Sequence, residues 1–328
     1  MTERHHGAIA THDILTLGES LALLTAQDHG SLRYGSTMQL SFGGAESNVA
    51  IGVSRLGGRA AWMGKLGSDP IAELILRELR AERVHSYEVR DEEMPTALML
   101  KERPFPGQSR IGYYRKGQAG SRLHPGDVRA AAIASSRVLH VTGITAGLGD
   151  APTAALHVAI DAALAAGREV SFDVNHRTSL WKSAAEAGAV YRELARRADL
   201  IFAGEDEAEL LVGERVVDRQ LDALLALGRA STVVVKQGAA GATVATRDGL
   251  RLHLPAISVD VVDTVGAGDA FVAGWLSEHV SGESTQQCLA TAVECGAFAC
   301  TGVGDWESLP TRAELRWLRT GATDPVER

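Results

Sequence analysis

Nine residues late in the chain, Asp263-Thr-Val-Gly-Ala-Gly-Asp-Ala-Phe271, combine the parts that an anion-handling turn needs. Gly266 and Gly268 permit a tight turn and a close backbone approach. The residues that follow, Ala270 to His279, have helical composition, which places the turn at a helix N-terminus. Backbone N–H groups there point outward and carry partial positive charge. Those of Gly266, Ala267 and Gly268 are therefore suited to negatively charged oxygens. Asp269 puts a carboxylate in the same turn. The same carboxylate would also suit an N-cap, the simpler structural role.

A second glycine-rich turn, Phe42-Gly43-Gly44-Ala45-Glu46-Ser47-Asn48, runs into a helix at Val49. Its glycine pair is either a plain turn or a place where a polyol or a carboxylate lies against the backbone. Asn48 at the helix start reads first as a cap.

Turns of this kind need a scaffold, and the hydrophobic pattern supplies one. Short branched runs at Ile14–Leu17, Val138–Val141, Glu169–Val174, Leu200–Ala203 and Thr232–Lys236 read as buried strands. Between them, Ser47–Leu56, Ile71–Arg83, Ala151–Ala166, Glu186–Ala198 and Leu221–Leu227 have helical spacing. Alternation of strand and helix predicts a mainly parallel sheet covered on both faces. Two stretches break the rhythm. Leu21–Phe42 and Tyr87–Gly117 are polar, with short alternating pieces at Ala97–Lys101 and Arg110–Tyr114. They predict antiparallel strands outside the main sheet, either a small lid over one sheet end or ordinary surface hairpins. With no low-complexity linker or internal repeat, the 328 residues read as one unit plus that lid.

Composition excludes several classes. The net charge of −8 offers no general basic field for nucleic acid. No run of about 18 apolar residues marks a membrane span, and Met1–Thr11 has no apolar leader segment, so a soluble, cytoplasmic chain is expected. The three cysteines, Cys288, Cys295 and Cys300, are odd in number and lack CxxC spacing. They read as packing residues of a helix.

Together the two glycine motifs resemble the signatures of the ribokinase/PfkB family of sugar kinases, and the order of elements agrees along essentially the whole chain. The resemblance implies an α/β, ribokinase-like three-layer fold with a small β lid. It also implies ATP and Mg2+ as cofactors, with a monovalent cation as a further option, and Asp269 as catalytic base. Pairing of lids into a homo-oligomer is a further implication. Within the family, the pattern is most similar to members acting on 2-keto-3-deoxy sugar acids. The matching segments are Gly43–Glu46, Tyr113-Tyr-Arg-Lys-Gly117, Asp173-Val-Asn-His-Arg177 with Leu180-Trp181, and Gly304-Asp305 before Pro310.

Carried over by this resemblance, Gly43, Gly44, Asn48, Tyr113, Arg115, Arg177 and Asp305 form the sugar site. Guanidinium forks suit a carboxylate bidentately, so Arg115 and Arg177 would make a cationic pocket within an acidic chain. Arg177 has a structural alternative, an ion pair with Asp173. Gly204, Lys236, Gly238 and Gly241 would hold the nucleotide, Glu207 would help organise the magnesium shell, and Cys288–Cys300 would wall the adenine. The chain departs from the family pattern at Met99, where a Tyr is usual, at Gly204 in place of Asn, and near Val293, where many relatives carry Asn. The nearest rival is another sugar kinase of the family, above all a fructokinase; the pair Arg115 and Arg177 discriminates against it, since a neutral sugar gives two guanidinium groups no anion. A non-catalytic sugar or nucleotide sensor is a rival of another class, and the intact Gly-Ala-Gly-Asp turn argues against it. A dinucleotide oxidoreductase fails because Leu17-Gly-Glu-Ser20 is not GxGxxG.

Overall fold

A computed structural model of the chain describes residues 11–105 and 108–320. Met1–Ala10, most of the N-terminal segment expected to lack a leader, lies outside the described residues.

Among the described residues thirteen strands form two sheets. In chain order they are β1 (His12–Leu17), β2 (Leu21–Ala26), β3 (Met38–Gly43), β4 (Ala60–Gly67), β5 (His85–Asp91), β6 (Leu98–Glu102) and β7 (Arg110–Tyr114), then β8 (Ser136–Thr142), β9 (Glu169–Asp173), β10 (Leu200–Gly204), β11 (Thr232–Lys236), β12 (Ala242–Thr246) and β13 (Arg251–Leu254). The large sheet has nine strands in the order β13-β12-β11-β10-β9-β8-β1-β4-β5. Pairing is parallel from β5 through β11 and antiparallel only for β11–β12 and β12–β13.

Side chains alternate across this sheet, so each strand feeds two cores. Ile14, Trp62, Val138, Phe202 and Val234 face one side, against helices Ala45–Arg55, Pro70–Ala81, Ala267–Ser281 and Thr285–Ala299. Leu15, Met63, Leu139, Ile201 and Val235 face the other, against Asp150–Ala165, Ala184–Arg197 and Val217–Ala226. The result is the three-layer α/β arrangement expected from the sequence.

The small sheet has the order β3-β2-β6-β7 and comes from the two stretches that break the sequence rhythm. Two details correct the sequence expectation. Pairs β2–β3 and β6–β7 are antiparallel, but β2–β6 is parallel. Between β3 and β6 the chain crosses the body through two helices, β4 and β5, and re-enters in the direction of β2, opposite to β3. Tyr87–Asp91 also belongs to β5, at the edge of the large sheet, and not to the lid. An edge strand has one neighbour and stays half-exposed, so its polar composition looks like that of a surface hairpin.

Candidate active site

The helix Ala267–Ser281 begins at Gly266, whose φ of 78° is left-handed. A Cβ there would lie 2.1 Å from the Asp305 carbonyl oxygen, so only glycine fits this turn. The Ala267 N–H is directed at the Thr264 carbonyl at 3.3 Å. The donors that helix geometry leaves without an intrahelical acceptor are then those of Gly268 and Asp269.

Asp269 is 8% exposed and does not cap its helix. Its carboxylate accepts from Asn48 Nδ2 at 2.8 Å and from Asn175 Nδ2 at 3.2 Å. This replaces the capping reading of both Asp269 and Asn48, because the helix carrying Asn48 starts three residues earlier, at Ala45. Burial raises the Asp269 pKa above the usual carboxylate range, while the Asn48 amide, the charges of Arg177 and Lys236, and the Asn175 amide oppose that rise. A buried carboxylate steered by two amides, with its affinity for a proton increased, is suited to general-base work.

Asp269 lies on a cavity of about 900 Å³ between the small sheet and the carboxyl ends of the parallel strands. Every residue expected at the site lines this cavity except Gly43. Gly43 sits just behind the wall: a Cβ on it would fall 1.8 Å from Asp305 Oδ2, so its missing side chain makes room for that carboxylate.

At the end under the small sheet are Gly44, Asn48, Tyr113, Arg115, Arg177 and Asp305. Arg115 departs from the sequence expectation, because it is not an uncommitted cation. Its Nε donates to Glu19 Oε2 at 2.8 Å, a second nitrogen bonds the same oxygen, and its guanidinium lies over the Tyr113 ring at 5.0 Å. Arg177 is not paired with Asp173: it is exposed and donates to the His176 carbonyl at 3.1 Å. Asp173 bonds Lys236 Nζ instead, at 2.8 Å. Burial, then the facing carboxylates of Asp269 and Glu307, push the Asp305 pKa up to about 7, with Lys101 opposing.

At the other end, Gly204, Lys236, Gly238 and Gly241 lie beside an apolar wall that includes Val261, Val293 and Ala297. A Cβ on Gly268 would sit 3.8 Å from Lys236 Nζ, so this ammonium stands next to the anion turn. Glu207 uses both oxygens on backbone donors, Gly204 N–H at 2.6 Å and His176 N–H at 2.7 Å. It thereby holds the β10 terminus to the loop after β9. Cys300 lines the cavity, whereas Cys288 and Cys295 are buried. Among the described residues no cluster of three or more His, Cys, Asp or Glu forms a metal cage.

Sequence reasoning missed four residues here. Asn175, in the left-handed region at φ 40°, lay within the Asp173–Arg177 segment but was overshadowed by Arg177. Glu19 and Lys101 gave no local signal, since their partners are Arg115 and Asp263. Glu46 is completely buried, with Oε1 accepting from the hydroxyls of Thr142 and Thr145 at 2.6 Å each. Burial pushes its pKa up to about 7. A glutamate following Gly-Gly-Ala was its only trace in the sequence.

A buried carboxylate at a helix mouth, a glycine-lined end and a side-chain-rich end under a small sheet are parts that phosphoryl transfer needs. Comparison with known proteins agrees. The model of the pfkB family carbohydrate kinases matches residues 11–312. The chain therefore belongs to the pfkB family of carbohydrate kinases, phosphotransferases that act on an alcohol group. It is 38% identical over 308 residues to a 2-dehydro-3-deoxygluconokinase of Bacillus subtilis (strain 168), covering 92% of this chain and 94% of the relative. A 2-dehydro-3-deoxygluconokinase of Thermoproteus tenax is 34% identical, with 95% of each chain covered. A probable fructokinase-2 of Arabidopsis thaliana is 32% identical over 92% of this chain and 94% of its own. Among solved structures, a PfkB protein from Polaromonas sp. JS666 superposes with a TM-score of 0.85 at 33% identity, covering 93% of this chain and 99% of that one. A fructokinase with bound ATP from Xylella fastidiosa gives 0.82 at 25% identity, with 95% and 99% covered.

Proposed function

We propose that the chain transfers the γ-phosphoryl group of ATP to the terminal primary hydroxyl of a six-carbon 2-keto-3-deoxy sugar acid. The observation that carries this reading is the buried Asp269 carboxylate, held by Asn48 and Asn175 where the two ends of the cavity meet. Relatives named 2-dehydro-3-deoxygluconokinase support the substrate, and the ATP-bound fructokinase supports the nucleotide.

In this reading Asp269 takes the hydroxyl proton as the sugar oxygen attacks phosphorus. The N–H groups of Gly268 and Asp269 and the Lys236 ammonium face the charge that builds on the phosphoryl oxygens, while that of Ala267 is turned to the Thr264 carbonyl. Arg177, with Arg115 steered by Glu19, binds the sugar's carboxylate, and Asp305 takes bonds from its hydroxyls. The small sheet keeps water from the phosphoryl group. Magnesium, when bound, neutralises phosphate charge. It keeps several waters and needs only one or two carboxylates, which fits a cavity end where Glu207 lines the wall and, among the described residues, no cage of three or more ligands forms. A K+ titration decides whether a monovalent cation contributes. The same proposal includes pairing of two chains through the outer face of the small sheet, where Leu40 and Tyr114 are exposed, and sedimentation tests it.

One observation favours a fructokinase instead: Glu19 already neutralises Arg115, and Met99 supplies no hydroxyl. The deciding experiment is a phosphorylation screen of the purified protein with ATP against ketodeoxygluconate, its C4 epimer, fructose and ribose. Preference for either sugar acid supports the proposal, and outright preference for fructose overturns the substrate while leaving the kinase class.

A further inference from the structure

The four strands of the small sheet carry few charges: Lys101 and Glu102 on β6 and Arg110 on β7. Glu102 and Arg110 face each other at 3.7 Å. Lys101 points the opposite way. Side chains alternate along a strand, so it shares with Met99 the face turned toward the body, and it is only 2% exposed. A buried ammonium is costly unless it is paired. Its partner is Asp263, whose Oδ2 accepts from Lys101 Nζ.

Asp263 is not a remote anchor. It opens the turn that carries the base, and its Oδ1 accepts the Val265 N–H at 3.2 Å, immediately before Gly266. One carboxylate thus joins the small sheet to the catalytic turn. The corner around it is acidic, since Asp263, Asp269 and Glu307 all act on Asp305. A transferring phosphoryl group is itself negative, so this corner needs a compensating charge.

We propose that Lys101 is a positioning residue for phosphoryl transfer: through Asp263 it seats the small sheet on the catalytic turn, and its charge offsets the surrounding carboxylates. The proposal rests on the kinase reading but not on which sugar is used.

The test compares wild type with Lys101→Met, Lys101→Arg, Asp263→Asn and the double variant Lys101→Met/Asp263→Asn, each assayed well below its Tm. Steady-state kinetics and the ratio of ADP to sugar phosphate are measured with the sugar the wild type phosphorylates best. A wrong substrate assignment then changes only the reference sugar. In Lys101→Met, kcat falls about 10²-fold, the size of effect that a small misplacement of reacting groups produces. KM for ATP moves far less, the ratio of ADP to sugar phosphate rises, and Lys101→Arg restores most of kcat. The double variant falls no further than Lys101→Met, because the two residues act as one pair. The proposal is overturned if Lys101→Met keeps kcat within about twofold of wild type, if Arg fails to restore it, or if the two single losses multiply. Should Lys101→Met not fold, Asp263→Asn decides alone, since it keeps an oxygen for Val265. A loss of kcat smaller than about fivefold overturns the proposal, and a larger loss supports it.

Discussion

The two ends of the cavity are built on different principles. The end under the small sheet is made of side chains largely bonded to one another, Arg115 with Glu19, Asn48 and Asn175 with Asp269, Glu46 with two threonines, while Arg177 has no carboxylate partner among the described residues. The nucleotide-facing end is made largely of glycine backbone, an apolar wall and one ammonium, Lys236. Backbone donors at a helix mouth recognise any phosphate, whereas a preset side-chain network recognises one arrangement of hydroxyls and charge. Substitutions should therefore separate cleanly between reaction and selectivity.

The largest effect belongs to the residue shared by both ends. Asp269→Asn removes the base and keeps an oxygen for one of the two amides, Asn48 or Asn175, at nearly the same volume, so the fold and ATP binding persist. Loss of a general base costs about 10²–10⁴ in rate. Single-turnover phosphorylation and nucleotide titration of the variant check both halves of this expectation, and a near-normal kcat would return Asp269 to a structural role.

Next come the two arginines, which sharpen the contrast within the sugar end. Arg177 carries no carboxylate partner among the described residues, so Arg177→Ala acts chiefly on a bound anion. A hydrogen bond to a charged group is worth about 1.5–3 kcal/mol. The kcat/KM for a sugar acid should drop at least about tenfold, and that for fructose much less. Arg115→Ala behaves differently, because it strands Glu19 as a buried carboxylate without its partner. It lowers Tm and weakens both substrates, and Arg115→Ala/Glu19→Gln recovers Tm. Equal losses for acid and neutral sugar in both single variants would show that neither arginine reads the anion.

A smaller effect appears in stability. Folded Glu46 holds its proton up to about pH 7, against a reference of 4.5. Its contribution to folding is therefore present below the unfolded pKa and fades as pH rises from 4.5 to about 7. Glu46→Gln keeps an acceptor for Thr142 and Thr145 without a charge to bury. It should flatten this part of the Tm–pH curve and stabilise the protein by about 2 kcal/mol at pH 8. An unchanged slope would mean that Glu46 is ionised throughout.

The smallest effect tests the nucleotide end. Burial pushes the Cys288 thiol up to about 12 and raises that of Cys300, so neither is a thiolate at neutral pH. Replacing Cys288, Cys295 and Cys300 by Ala should leave kcat and KM for ATP nearly unchanged, with at most a modest drop in Tm. Loss of turnover in a folded triple variant would assign one of them a chemical role.

Much of the fold is legible in the amino-acid pattern itself. Branched runs mark five central strands, because a strand buried on both faces must be apolar throughout. The two glycine turns mark helix N-termini, because turn and cap preferences act over a few residues. β4 is not legible in this way: Gly64, Lys65 and Gly67 interrupt its apolar run, yet every position is buried, and Lys65 is satisfied by Asp127 at 3.1 Å. β5 is legible only as a polar alternating piece, and nothing local says which sheet such a piece joins.

Residue types and local spacing determined the layered α/β class and the two glycine turns at helix N-termini, and the family resemblance of the motifs named the residues that line one cavity. Tertiary structure alone decided whom those residues face. Asn48 meets Asp269 from 221 positions away, Glu19 meets Arg115 from 96, and Lys236 takes the Asp173 that Arg177 was a candidate to hold. Local preferences are set by the covalent chain within a turn or two. Charge and hydrogen-bond partners are set by the parallel crossovers that carry distant strand ends to one edge of the sheet, and a linear sequence contains no distance between those ends.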